Sequence, residues 1–189
     1  DLNVLDKFLG KLTTFSAEFE QSLVDVHGQV IEAASGHVYL KYPGQFHWQY
    51  QEPYAQSLIT DGVSLWVYDQ DLAQVTIKNT KGELDNTPAA ILSGSDDLYT
   101  HFILINKGLE DGIDIVELQP KDEENQFHNI QLGFKKQTLV LMVLFDKLGQ
   151  ITRIDFKNTK RNDKLDDALF TFSIPQGVDI IDGREQATE

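Results

Sequence analysis

The sequence predicts a mainly β (α+β) fold, in which a long antiparallel sheet curls and carries a few helices on one face. Residues 36–78 alternate apolar and polar side chains between turn signals at Pro43-Gly44, Glu52-Pro53 and Asp61-Gly62. The whole chain contains about ten or eleven such stretches, and a sheet of that size is expected to curl. Two stretches with helical spacing need a surface for their apolar sides, and one face of the sheet would supply it.

The apolar side of the meander is rich in aromatic rings. In the stretch 36–42 and in the next stretch, 45–50, alternate residues share one side, and residues 15–26 add a third stretch of the same kind. A ring-lined concave face would suit a bulky apolar ligand, although an ordinary packed core has the same pattern. The cavity residues that we predict are Phe19, Val38, Leu40, Phe46, Trp48 and Tyr50.

Two segments are predicted to form helices over that face. Residues 1–13 repeat leucine and phenylalanine at spacings of three and four, with Gly10 expected to weaken the helix only slightly. Residues 88–93 follow Thr87 as N-cap, start with Pro88 and stop at Gly94, and residues 95–99 can cap a further short turn. The positions expected to pack on the sheet as a lid are Leu5, Leu9, Leu12, Ile91 and Leu92.

The second half of the chain returns to strands. Residues 158–167 are predicted to be a charged loop, and Gly108 and Asp111-Gly112 are expected to separate two strands. The predicted strands are 102–105, 113–119, 126–134, 139–146, 150–157, 170–172 and 178–181. With no repeat and no linker in the sequence, we expect residues 1–189 to be a single domain.

Composition limits the classes of partner. The 189 residues carry a formal net charge of −14, which disfavours nucleic acid and anionic membrane surfaces, and no apolar run is long enough for stable membrane insertion. The chain contains no cysteine, which excludes disulfides, thiolate metal sites and a lipid-anchored N-terminal cysteine. We expect a monomer, and a start at Asp1 would fit removal of a signal peptide.

No convincing catalytic or metal site is present in the sequence. The five histidines are scattered, and His37 and His47 are predicted to face away from the aromatic side, toward solvent. His47, Ser57 and Asp61 have the residue types of a catalytic triad but lack a nucleophile turn. We therefore predict no enzyme activity, no catalytic residue, no metal and no cofactor.

The order of several short motifs resembles the LolA family of periplasmic outer-membrane lipoprotein carriers. Each motif is weak alone, but together they span nearly the whole chain in one order. They are residues 41–48 (Lys-Tyr-Pro-Gly-Gln-Phe-His-Trp), Glu52-Pro53, Asp61-Gly62, residues 65–69 (Leu-Trp-Val-Tyr-Asp), residues 72–75 (Leu-Ala-Gln-Val), Thr87-Pro88, residues 170–172 (Phe-Thr-Phe), Pro175 and Gly177-Val178.

The resemblance implies an unclosed antiparallel β-barrel of about 11 strands, with helices as a lid over an apolar cavity. It implies a periplasmic chaperone that takes acylated lipoprotein cargo from an inner-membrane ABC transporter (LolCDE-like) and passes it to an outer-membrane receptor lipoprotein (LolB-like). The receptor itself is disfavoured, because it is anchored through an N-terminal cysteine. The rival hypotheses are an enzyme or binding protein for another apolar or lipid ligand in a similar barrel, and a structural domain with a filled core.

Two positions depart from the family pattern. The family usually has an arginine before the proline at residue 43, and that arginine is thought to hold the lid by bonding backbone carbonyls. Here the latch position is Tyr42, and a phenol offers one donor where a guanidinium offers five. His47 stands where many members have a second arginine, and it is expected to change a contact with a partner.

Overall fold

Twelve strands form one open sheet in the computed structural model, which describes residues 3–80, 87–93 and 98–184. The sheet runs in the order β12-β6-β5-β4-β3-β2-β1-β11-β10-β9-β8-β7 and is antiparallel except where β12 joins β6. The strands are β1 Thr14–Val24, β2 Val30–Lys41, β3 Gln45–Glu52, β4 Gln56–Thr60, β5 Ser64–Asp69, β6 Gln74–Asn79, β7 Phe102–Glu110, β8 Ile113–Pro120, β9 Phe127–Lys135, β10 Thr138–Asp146, β11 Ile151–Arg161 and β12 Asp179–Asp182. The predicted mainly β fold is confirmed, with one strand more than expected.

Three short α-helices accompany the sheet: α1 Val4–Leu9, α2 Pro88–Ser93 and α3 Leu98–His101. Helix α2 begins as predicted, because the Thr87 hydroxyl accepts a hydrogen bond from the Ala90 N–H at 3.2 Å. The predicted stop at Gly94 and the cap at 95–97 lie outside the described residues. A short 3-10 helix, Asp167–Phe170, follows β11.

The first helix is shorter than predicted. It begins after Asn3, whose side chain accepts a hydrogen bond from the Asp6 N–H, and it ends at Leu9. Lys11 has a φ of 58°, a left-handed conformation that no helix continues through. Leu12 is buried, but it lies in the connection to β1 and not on the helix as predicted.

The second half of the chain differs from the predicted strands at three places. Strand β7 continues through Gly108, which takes a φ of 84° at a bulge instead of ending the strand. Strand β11 extends to Arg161, so residues 158–161 of the predicted charged loop belong to the strand. Residues 170–172 were predicted to be a strand, but Phe170 ends the 3-10 helix and no strand follows until β12.

Residues 163–178, here called the strap, cross the convex face of the sheet between β11 and β12. Lys41 on β2 forms an ion pair with Asp167, and Phe170 is 1% exposed where the 3-10 helix packs on β3 and β4. The ring of Phe172 lies 5.0 Å from that of Tyr68 on β5. The strap therefore forms a second layer behind this part of the sheet.

His47 lies beneath the strap, on the face opposite the aromatic side as predicted, but the expectation that it faces solvent is wrong. Neither of its ring nitrogens makes a hydrogen bond of ordinary geometry to the described part of the chain. Burial lowers the pKa of His47, and the nearby backbone of Leu169 opposes this shift only in part. Its ring also lies beside that of Tyr39, at 5.9 Å between centroids.

The buried imidazole gives a pH prediction. Because the pKa of His47 is lower in the folded state than in the unfolded chain, the unfolded chain binds the proton more readily, and the free energy of unfolding falls as the pH drops below about 6.5. We expect His47→Gln to lose less stability than the parent between pH 7.5 and pH 5.5, measured by urea unfolding. His128→Gln, at an exposed histidine, is the control. Equal losses in the parent and in His47→Gln would contradict the prediction.

A second stability prediction concerns Gly36 in β2. A Cβ atom added there would lie 1.8 Å from the carbonyl oxygen of Gln49 on β3, so the two strands could not keep their spacing. We expect Gly36→Ala to lower the free energy of unfolding by roughly 3 kcal/mol, and Ser35→Ala next to it to change it by under about 1 kcal/mol. Urea unfolding of both variants measures the difference, and equal values would show that the strands can separate locally.

Candidate functional site

The predicted cavity residues lie together on the concave face of the sheet. Five of the six are at most 2% exposed, and Tyr50 is half-buried against them. Phe19 is the centre of an aromatic group, with ring centroids 5.1 Å from Trp48 and 5.4 Å from Tyr50. Cross-strand pairing of Val38 with Trp48 and of Leu40 with Phe46 brings the other members beside it.

The two longer helices cover this face. Leu5, Ile91 and Leu92 are each at most 5% exposed, Leu9 is partly buried against the core, and α1 packs on β8 while α2 packs on β2 and β3. A small apolar cavity of about 10 Å³ remains between α1, α2 and the sheet, and Leu5, Leu9, Ile91 and Leu92 are among the residues that line it. Helices α1 and α2 therefore pack closely on this face in the structure.

Tyr42 ties helix α2 to the sheet. Its phenol donates a hydrogen bond to the carbonyl of Leu92, and the N–H of Gly44 in the same turn donates to the carbonyl of Ser93 at 3.0 Å. The last carbonyls of a helix have no partner within the helix, so this turn satisfies two of them. Burial raises the pKa of Tyr42 well above its ordinary value, which keeps the phenol protonated as a donor.

Arg161 ties helix α1 to the sheet, and the sequence analysis missed it. Its Nη2 donates to the carbonyl of Phe8 at 2.7 Å and to that of Gly10 at 2.5 Å, and its guanidinium lies 5.9 Å from the Phe8 ring centroid. Asn162 continues this contact by donating to the carbonyl of Lys11 at 3.1 Å. The residue was overlooked because it falls in a segment predicted to be a loop, whereas β11 places it opposite Phe15 on β1.

Helix α1 has a further tie at its start. The phenol of Tyr99 on α3 donates to the carboxylate of Asp6 and accepts from the amide of Asn3 at 3.2 Å. The two lid helices are thus attached to different parts of the chain: α1 to β11 and α3, and α2 to the turn between β2 and β3.

A groove of about 690 Å³ opens at the end of the sheet that lies away from α2. Its wall combines apolar residues with Gln21, Tyr50 and three carboxylates. The residues are Gln21, Ile31, Glu32, Ala33, Ala34, Tyr50, Glu52, Pro53, Tyr54, Gln56, Leu58 and Asp69. Tyr50 belongs both to this wall and to the aromatic group, so the groove leads to the buried face.

Residues 3–80, 87–93 and 98–184 contain no group of three or more histidine or carboxylate side chains placed to hold a metal ion. In the same residues no helix is long and apolar enough to cross a membrane. His37 is half-buried on the convex face and lies 3.5 Å from a carboxylate oxygen of Glu18.

Comparison with known proteins gives consistent results. The family profile described as outer membrane lipoprotein carrier protein LolA matches residues 10–173. An outer-membrane lipoprotein carrier protein of Nitrosomonas europaea is 41% identical over 94% of this chain and 86% of its own length, and one of Nitrosospira multiformis is 38% identical over the same shares.

Solved structures show the same fold at low sequence identity. A LolA superfamily protein from Nitrosomonas europaea has a TM-score of 0.55 at 14% identity, covering 89% of this chain and 94% of its own. An uncharacterized conserved protein from Thermus thermophilus has a TM-score of 0.60, also at 14% identity, covering 95% and 94%. The family match over most of the length, the relatives at about 40% identity and the lidded open sheet agree, and the chain belongs to the LolA family of outer-membrane lipoprotein carrier proteins.

Proposed function

We propose that this protein is a periplasmic chaperone that binds the acyl chains of outer-membrane lipoproteins and delivers them to the outer membrane. The observation that carries the proposal is a buried aromatic face under two separately attached helices, in a chain of the LolA family. The whole chain, residues 1–189, acts as one carrier domain.

The acyl chains take the place of the lid on the concave face. Phe19, Val38, Leu40, Phe46, Trp48 and Tyr50 then contact the cargo, and the apolar side chains of α1 and α2 move outward to widen the space. Removing an acyl chain from water is favourable by about 0.8 kcal/mol per methylene, which offsets the helix contacts that are lost. Transfer from a bilayer to such a face is nearly neutral, so extraction needs an energised partner.

The proposed partners follow from this energetic requirement and from the family. An inner-membrane ABC transporter (LolCDE-like) supplies the energy to load the carrier, and an outer-membrane receptor lipoprotein (LolB-like) accepts the cargo because it binds the acyl chains better or opens the lid. The carrier itself makes no covalent change and uses no cofactor. Its concave face is built mainly from aliphatic and aromatic side chains, which suits an apolar chain.

The function is tested by release of cargo from membranes. Membrane vesicles that contain the transporter and an acylated lipoprotein are incubated with ATP and this protein, and the soluble lipoprotein is measured. We expect soluble cargo in complex with the protein. Absence of soluble cargo, with a known carrier active in parallel, would contradict the function.

Leu92→Glu tests the lid in the same assay. Leu92 is 5% exposed on α2, so a carboxylate there would keep the helix off the apolar face, and we expect weaker cargo retention with the sheet still folded by circular dichroism. Leu109→Glu, at a 69% exposed leucine on β7, is the matched control. If Leu92→Glu retains cargo as well as the control does, α2 is not part of the lid.

Arg161→Met tests the separate attachment of α1. A hydrogen bond to a charged group contributes about 1.5–3 kcal/mol, so we expect the amides of Gly10 and Leu12 to exchange with solvent at least about tenfold faster, with no change at Ile91 in α2. Tyr42→Phe should speed exchange at Ile91 and leave exchange at Gly10 and Leu12 unchanged. Arg153→Met, on β11 like Arg161, should change exchange in neither helix. If either variant speeds exchange in both helices equally, the lid opens as one unit.

A further inference from the structure

Trp48 carries an unpaired donor in the buried face. Its side chain is 2% exposed, and the indole Nε1–H has no hydrogen-bond partner within the described residues. Buried polar groups are nearly always paired in native proteins, so an unpaired donor at this position needs an explanation. The indole N–H can only donate, and its missing partner must therefore be an acceptor.

Two more polar groups lie on the same face beside Trp48. Tyr50 follows it by two residues on β3, and the indole N–H lies near the phenol without reaching ordinary hydrogen-bond geometry. The phenol donates to Oε1 of Gln21 on β1 at 3.3 Å, which is long for an O–H···O bond. This weak contact can be exchanged for a better acceptor at little cost.

Two of the three polar groups stand where the groove meets the aromatic core, and Trp48 lies directly inward of them. Gln21 and Tyr50 line the groove, whose volume of about 690 Å³ lies in the range of small-molecule sites. Inward from them are the rings of Phe19 and Trp48, and outward are the carboxylates of Glu32, Glu52 and Asp69. The site thus passes from an apolar interior, through a few donors, to an acidic rim.

We propose that Trp48, Tyr50 and Gln21 form a polar anchor that binds the carbonyl oxygen of a neutral fatty-acyl ester. The acyl chain points inward along the aromatic face, and the alcohol part of the ester stays in the groove. A carbonyl oxygen has two lone pairs and no hydrogen, so it can accept from two donors at once, here the indole N–H and the phenol O–H, with the amide NH₂ of Gln21 as a further donor beside them. This proposal rests on the proposed function, because it places the acyl chain on the same face.

The acidic rim decides between acyl ligands. The carboxylates of Glu32, Glu52 and Asp69 stand around the groove, and they would repel the carboxylate of a free fatty acid. A neutral ester carries no charge and avoids this repulsion. The anchor is therefore specific for esterified acyl chains and selects against free fatty-acid anions.

Three probes of matched chain length test the anchor: methyl palmitate, the corresponding methyl hexadecyl ether and palmitate. The affinity of each probe is measured by its displacement of a fluorescent apolar dye from the folded protein, at low probe concentration and without detergent. We expect the ester to bind about fivefold tighter than the ether, as one or two neutral hydrogen bonds would give, and palmitate to bind more weakly than the ester. Palmitate should gain affinity at a pH low enough to protonate it.

The variants Tyr50→Phe and Gln21→Met should bring the ratio of ester to ether affinity close to one. Tyr68→Phe, which removes a phenol next to Phe172 on the convex face, should keep the parent ratio. Equal binding of ester and ether by the parent protein would overturn the anchor while leaving an apolar carrier intact. Failure of all three probes to displace the dye would overturn the anchor together with binding of acyl chains to this face.

Discussion

The apolar concave face of an open sheet must be covered, and the rest of this structure depends on that requirement. A sheet with two free edges, β12 and β7, does not close around its own interior as a full barrel does. Phe46, Trp48 and their neighbours would meet water if the helices were absent. Helices of six residues are too short to be stable alone. They are helical because they pack on this face, and the face is kept from water because they cover it.

The attachment of the helices shows how a change at one position is accommodated. Tyr42 stands where the family usually has arginine, and it makes a single hydrogen bond to the end of α2. A guanidinium is still present at the helices, but it belongs to Arg161 on β11, and it donates hydrogen bonds to the carbonyls of Phe8 in α1 and of Gly10. The side chain that donates to α1 is charged and the one that donates to α2 is neutral, so these two hydrogen-bonded attachments differ in strength.

Local sequence patterns predicted much of this fold, and the errors have a common cause. Alternation of apolar residues identified β2 to β6 and the face on which Trp48 lies, because the period of a strand is a local property. It could not show that the strap covers His47, or that β12 joins β6, because both depend on contacts between distant parts of the chain. The alternation of side chains also shows on which face a residue lies but not how much space remains above that face. It therefore could not show that Trp48 is buried by its neighbours.

The strap has a mechanical consequence. It lies behind β2 to β5 and ends as β12 on β6, so this half of the sheet has two layers and resists bending. The half from β10 to β7 is attached to it through the pairing of β1 with β11. We therefore expect a change in curvature of the sheet to fall mainly on the half from β10 to β7, which the strap does not cover, while the aromatic wall keeps its shape.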